Sequence, residues 1–180
     1  MDERICISFL RQSTIVDIVP TWLSDEQVTH HLCRGSIPSN KESDKSIFRE
    51  VEFEFSDPLD FSIIGYGGIH EINWISRSGE LRILIGSKAH WNRGFGKAGI
   101  NKMLEYSFSI LNLNRVWLGV NSENSRAVGL YLSTGFREEG VLRQEFYKHG
   151  RYIDIIRMSI LRTEWVESMK DLATRNNCNV

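Results

Sequence analysis

Leu81-Arg82-Ile83-Leu84-Ile85, then Gly94-Phe95-Gly96, then Arg115-Val116-Trp117-Leu118-Gly119-Val120 form the stretch that decides the fold. The outer runs are short, apolar and bounded by turn residues, so they read as strands. Between them Ile100, Met103, Leu104, Ser107, Phe108 and Leu111 recur at helical spacing, with Asn101, Lys102 and Glu105 turned away. A helix therefore starts at the glycine turn and runs to about Leu111, and its two flanking strands pair in parallel through a right-handed crossover. Gly94 and Gly96 carry no Cβ, so the backbone bends tightly there and a ligand can approach closely. The unpaired N–H groups of the first helical turn and the helix dipole favour an anion at this point, a pyrophosphate above all.

Downstream, Asn124 caps a helix over 125–133, Gly135 stops it, and 152–161 forms a last strand. Upstream, 61–66, 68–74 and 81–85 read as strands joined in two hairpins, with Ser76-Arg77-Ser78-Gly79 as a turn. Residues 5–10 read as a first strand and 13–23 as a short helix that Pro20 bends or ends. Ser24-Asp25-Glu26-Gln27 and Ser39-Asn40-Lys41-Glu42 both have capping-box spacing. Ile47, Phe48, Val51 and Phe55 share one face of the helix expected after the second, and Asp57-Pro58 breaks it. Trp165, Met169 and Leu172 precede the polar run Arg175-Asn176-Asn177-Cys178-Asn179, which predicts a frayed helix or flexible tail. The fold class is α/β (α+β): one mixed, mostly antiparallel central sheet with a parallel strand-helix-strand unit and helices on both faces.

A chain of 180 residues with formal charge -1 suits one domain with a real core. Lys and Arg are scattered and apolar runs are short, which argues against a nucleic-acid or membrane partner. The opening Met1-Asp2-Glu3-Arg4-Ile5 lacks a secretory layout, and Cys6, Cys33 and Cys178 form an odd, unpatterned set, so a reduced cytoplasm is expected. Metal and nucleophile readings fail as well. His30 and His31 are expected to point apart, His70, His90 and His149 lie singly, and neither Cys-x-x-Cys, His-Glu-x-x-His nor Gly-x-Ser-x-Gly occurs.

Gly94, Gly96 and Gly99 match a dinucleotide fingerprint, but Gly86 to Arg93 separate them from the preceding strand, and the next strand ends at Val120-Asn121 without a ribose-binding carboxylate. A Walker loop fails because Ala98 follows Lys97. Close helix-sheet packing is the plain structural reading of the glycines. Trp91-Asn92-Arg93-Gly94-Phe95-Gly96 instead resembles the acetyl-CoA loop of the GNAT superfamily of N-acyltransferases. Asn124-Ser125-Arg126-Ala127, Tyr131 and Gly135-Phe136 resemble that superfamily's second motif. Glu71 through Glu80, Tyr106 through Asn114, Glu139 through Arg143 and Asp154 through Met158 are similar to bacterial spermidine N-acetyltransferases and their RimJ/RimL relatives. Trp22 through Val28 looks like acetyltransferases of nucleotide-sugar pathways.

The resemblance implies a GNAT domain over 1–162, with 163–180 as the terminal helix or tail, and acetyl-CoA as co-substrate. It implies that the backbone of Ile83, Leu84 and Ile85 holds the pantetheine, and that Trp91, Arg93, Gly94, Phe95, Gly96, Lys97, Asn124 and Tyr131 contact the donor. An alkyl amine has a pKa near 10, so a base must deprotonate it; Glu80 and Glu71 are the candidates, and the resemblance implies that Tyr131 protonates the departing thiolate. Glu71 and Glu80 also read as solvated residues flanking a turn, Tyr131 as a core aromatic, and Arg93 and Lys97 as ordinary surface cations. The expected reaction is direct transfer to a primary amine of a small molecule, a nucleotide-linked amino sugar or a polyamine such as spermidine. A protein N-terminus as acceptor and a non-catalytic acyl-CoA sensor are the alternatives, and a homodimer or higher homo-oligomer is open.

Overall fold

Seven strands, Cys6–Phe9 (β1), Val51–Ser56 (β2), Ile63–Asn73 (β3), Ser78–Ile85 (β4), Arg115–Asn121 (β5), Arg137–Lys148 (β6) and Arg151–Leu161 (β7), form one sheet in the order β1-β2-β3-β4-β5-β7-β6. The computed structural model describes residues 4–32 and 49–177, and side chains as far as Lys170. Every neighbouring pair is antiparallel except β4 and β5, the two strands joined by the crossover helix Phe95–Glu105 (α3). That helix continues into a wider turn over Tyr106–Ile110, where Ser107 Oγ donates to the Met103 carbonyl at 2.7 Å.

Strand alternation separates two cores. Val51, Phe53, Phe55, Ile69, Leu81, Val116, Leu118 and Met158 face the buried side of α3, where Ala98, Ile100, Met103, Leu104 and Phe108 meet them. Burying each such side chain stabilises the fold by about 1.5–3 kcal/mol. The opposite face carries Tyr66 and Leu84, covered by Val19 and Trp22 of Val19–Leu23 (α1) and by Val28 of Glu26–Thr29 (α2). Asp25, one residue after the expected Ser24, caps α2 by accepting from the Gln27 N–H at 2.9 Å. Two further α-helices among the described residues are Ser125–Leu132 (α4) and Arg162–Asn177 (α5), and Trp165 of α5 packs 5.4 Å from Phe108.

Three expectations are corrected. Val51 and Phe55 lie on a strand, because Glu52 and Glu54 alternate with Val51, Phe53 and Phe55 at period two; Ile47, Phe48 and the capping box at Ser39 lie outside the described residues, as do Cys33 and Cys178. The two strands expected over 61–66 and 68–74 are one, β3. Gly65, Gly67 and Gly68 do not turn the chain; a Cβ at Gly67 would meet the Arg82 carbonyl at 2.7 Å and Met103 Sδ at 3.1 Å. Strand β6 has no counterpart in the sequence reading, since nearly all of it is exposed and so carries no alternation of burial.

Candidate active site

Strands β4 and β5 pair only at Ser78–Arg115, Gly79–Val116 and Glu80–Trp117. Beyond that point each keeps its outer neighbour, β4 with β3 as far as Ile85 and β5 with β7 as far as Asn121, but the two no longer meet. The inner edges of Arg82–Ile85 and Leu118–Asn121 therefore have no strand partner. Such edges accept an extended ligand as an added strand. The wedge opens into a cleft of about 560 Å³ lined by Glu80, Arg82, Ile83, Leu84 and Ile85 on one side and Val120, Asn121, Asn124 and Tyr131 on the other.

The start of α3 stands beside this wedge. Gly94 caps the helix at φ 87°, a left-handed conformation that favours glycine, and a Cβ there would also approach Arg4 Nη1 to 2.8 Å. Gly96 lines the cleft, as does Trp91, whose indole N–H donates to the Ile85 carbonyl at 2.8 Å. The Arg126 guanidinium lies 5.1 Å from the Trp91 ring centre and also lines the cleft. Arg93, Gly94, Phe95 and Lys97 do not. Phe95 is buried against His90, and Arg93 lies over the Phe95 ring. Arg126, which the sequence reading assigned no role, is thus the cation that lines the cleft beside the helix start.

Asn124 caps α4 by accepting from the Ala127 N–H at 3.1 Å, and Tyr131 of α4 lines the cleft with its ring edge-on to Phe136 at 5.8 Å. Burial pushes the Tyr131 phenol up to about 12, so it keeps its proton at neutral pH. Glu80 sits at the apex of the wedge, buried, and binds Arg82 through Nε at 2.9 Å and Nη2 at 2.5 Å. Glu71 does not line the cleft. A bulge between His70 and Asn73 puts it at φ 49° and turns its carboxylate outward, 58% exposed, with only a 3.4 Å contact to Arg82.

The far wall comes from segments to which the sequence reading assigned no site residue. Gln27, Val28, His30, His31 and Leu32 face Leu142, Glu145 and Phe146 of β6 across the cleft. Lys148 ties the two sides together, its ammonium donating to the carbonyls of Thr29 at 2.6 Å, His30 at 3.1 Å and Leu32 at 2.8 Å. His30 and His31, expected to point apart, meet edge-on at 4.7 Å, and His149 stacks on His30 at 6.0 Å. Burial, then the His30 charge, lowers the His31 pKa. Among the described residues no group of three His, Cys, Asp or Glu side chains is placed to hold a metal ion, and no helix is long and apolar enough to cross a membrane.

Comparison with known proteins agrees with this geometry. The family model described as "Acetyltransferase (GNAT) domain" matches residues 4–137. The spermidine N(1)-acetyltransferase of Vibrio cholerae is 46% identical over 105 residues, a match that spans 58% of this chain and 60% of that enzyme's length. The crystal structure of spermidine N-acetyltransferase from Vibrio cholerae in complex with CoA and spermine superposes with a TM-score of 0.81 at 32% identity, covering 92% of this chain and 99% of that one. A dodecameric structure of the Vibrio cholerae enzyme superposes at 0.75 and 31% identity, covering 91% and 97%. The wedge, the helix start beside it and the matched sequence agree: the chain belongs to the GNAT acetyltransferase family.

Proposed function

We propose that this chain is an N-acetyltransferase that moves the acetyl group of acetyl-CoA to a primary amine of a polyamine such as spermidine. The observation that carries this is the parting of β4 and β5 after Glu80–Trp117 beside the N-terminus of α3. An extended pantetheine fits the unpaired edge of Ile83-Leu84-Ile85, and the helix start at Gly96, with Arg126, meets the diphosphate. N–H groups of the β4 edge polarise the thioester carbonyl as its oxygen gains charge.

The acceptor arrives as an ammonium and must lose a proton before it attacks. Glu80 is the cleft-lining carboxylate of the two expected bases, and Arg82 fixes its orientation, so it receives the proton through water. Glu71, turned outward, receives no part in the step. The neutral nitrogen adds to the thioester carbon and gives up its second proton to water. The tetrahedral intermediate then collapses by breaking the carbon–sulfur bond, the thiolate leaving with the electron pair while the Tyr131 hydroxyl hydrogen-bonds to it. No covalent enzyme intermediate is involved.

The polyamine reading is supported by the likeness to the Vibrio cholerae spermidine enzymes and by the acidic surroundings of Arg82. The dodecamer of the Vibrio cholerae enzyme supports a homo-oligomer for this chain as well. Cys6, exposed and free, fits a reducing cytoplasm. Thiol release from acetyl-CoA, measured across spermidine, a nucleotide-linked amino sugar and an N-terminal peptide, tests the reading. Turnover with spermidine far above the others is expected; turnover confined to the peptide or the amino sugar would refute the polyamine assignment.

A further inference from the structure

On the sheet face opposite α3, Gly68 lies across from Glu52 on β2 and from Arg82 on β4, and Tyr66 and His70 flank it on the same face of β3. Gly68 has no side chain to separate these groups, and none would fit, since a Cβ would meet the Val51 carbonyl at 2.5 Å and His70 Nε2 at 3.0 Å. Among the described residues of β2, β3 and β4, the carboxylates on this face, Glu52, Glu54 and Glu80, outnumber the cation Arg82. Arg82 is engaged by Glu80 and Glu71, and Glu54 on the same face of β2 is served by Arg11 at 2.6 Å, Thr14 at 2.6 Å and Ser8 at 3.1 Å. Glu52, with a side chain only 15% exposed, has His70 Nε2 at 3.8 Å.

Burial and the Arg82 charge lower the His70 pKa, so the ring is neutral at neutral pH; its Nδ1–H donates to Glu50 at 3.3 Å, which leaves Nε2 as an acceptor. Tyr66 is 4% exposed, and its hydroxyl has no hydrogen-bond partner among the described residues. Burial and the nearby Glu52 charge raise its pKa well above the ordinary phenol value, so it too is neutral. Burial and then the Glu50 charge push the Glu52 carboxyl up to about 7 against the lowering pull of the Arg82 charge. A carboxylate, an imidazole nitrogen and a phenol oxygen, each able to accept a hydrogen bond, therefore share this face, the phenol keeping its own O–H. A primary ammonium has three N–H groups and one positive charge.

We propose that Glu52, Tyr66 and His70 form a subsite for a second, unreacted ammonium of the acceptor, so that the enzyme selects di- and polyamines over monoamines. This rests on the polyamine reading above. Two strand spacings, roughly 10 Å, separate β2 from the β4 edge, a distance that a triamine chain bridges. The subsite lies beyond the cleft that holds the donor, and it binds rather than reacts.

Calorimetry of spermidine binding to the full chain with coenzyme A present, at pH 7 in buffers of different ionisation enthalpy, tests this. An ammonium beside Glu52 drives off its proton, so wild-type binding is expected to release roughly half a proton. Glu52→Gln is expected to weaken binding by about 10- to 100-fold and to abolish the release. Tyr66→Phe should weaken binding several-fold while the release remains, and it serves if the first variant does not fold, coenzyme A binding being the control for folding. The ratio of spermidine to monoamine kcat/KM should fall in both. Wild-type affinity in Glu52→Gln, proton release that persists in it, or no spermidine binding by the wild type would overturn the subsite. Linked binding without turnover of any amine would instead remove the transferase reading and leave the subsite standing.

Discussion

Replacing Tyr131 by phenylalanine removes one hydroxyl from the cleft and leaves the ring against Phe136. The size of the effect follows from the phenol's environment. A proton passed from a group pushed up to about 12 to a thiolate of ordinary pKa about 8.5 runs uphill by roughly 3 to 4 units. The hydroxyl therefore acts by hydrogen bonding to the developing sulfur charge rather than by completed transfer in the transition state. A hydrogen bond to a charged group contributes about 1.5–3 kcal/mol, which sets the loss in kcat at about 10- to 100-fold, well short of the 10⁴ reached by strong general acids. Continuous thiol release at saturating spermidine measures this, with the KM for acetyl-CoA expected to change little. The wild-type-to-variant ratio should stay flat from pH 6 to 10, because the phenol remains protonated up to about 12. Wild-type kcat in the variant would refute the role, and a ratio that collapses near the ordinary phenol pKa would refute the buried environment.

Glu52 gives a stability prediction of the opposite sign to its binding role. Its folded pKa is raised from 4.5 to about 7, so the stability present below pH 4.5 is lost as pH rises toward 7; Glu52→Gln should melt higher than wild type above pH 7, by about 3 kcal/mol at most, and like wild type at pH 4. Lys148→Met strips three carbonyls at the end of α2 of their ammonium donor, so amide hydrogen exchange in 26–32 should speed up and the KM for acetyl-CoA rise several-fold; unaltered exchange would show that the clamp is dispensable. Gly86→Ala places a Cβ 1.9 Å from the Trp22 ring, so α1 must shift and thermal stability should fall by about 1–3 kcal/mol; an unchanged melting temperature would contradict the packing.

What the sequence made legible is the local backbone around the cleft. Gly94, Gly96, Asn124 and Tyr131 carry a left-handed cap, a helix start, an N-cap and a helix spacing, and local geometry leaves local signatures. Strand β2 defeated the same reasoning because Val51 and Phe55 satisfy both a helical spacing and strand alternation, and only the sheet decides which period counts. Glycines in β3 were read as punctuation although their function is to admit neighbouring strands and α3. Glu52, Tyr66, His70 and Arg126 carry no pattern, since what unites them is sheet register and cleft geometry, neither of which the linear order displays. The exposed edge strand β6 was invisible for a related reason: without a buried face it has no periodicity to read.

The Lys148 clamp also bears on how the protein is made. Its three bonds join partners 116 to 119 positions apart, so one wall of the cleft cannot close until the hairpin of β6 and β7 has left the ribosome. During synthesis the amino-terminal helices therefore wait, undocked at that end, for a lysine translated 116 to 119 residues later.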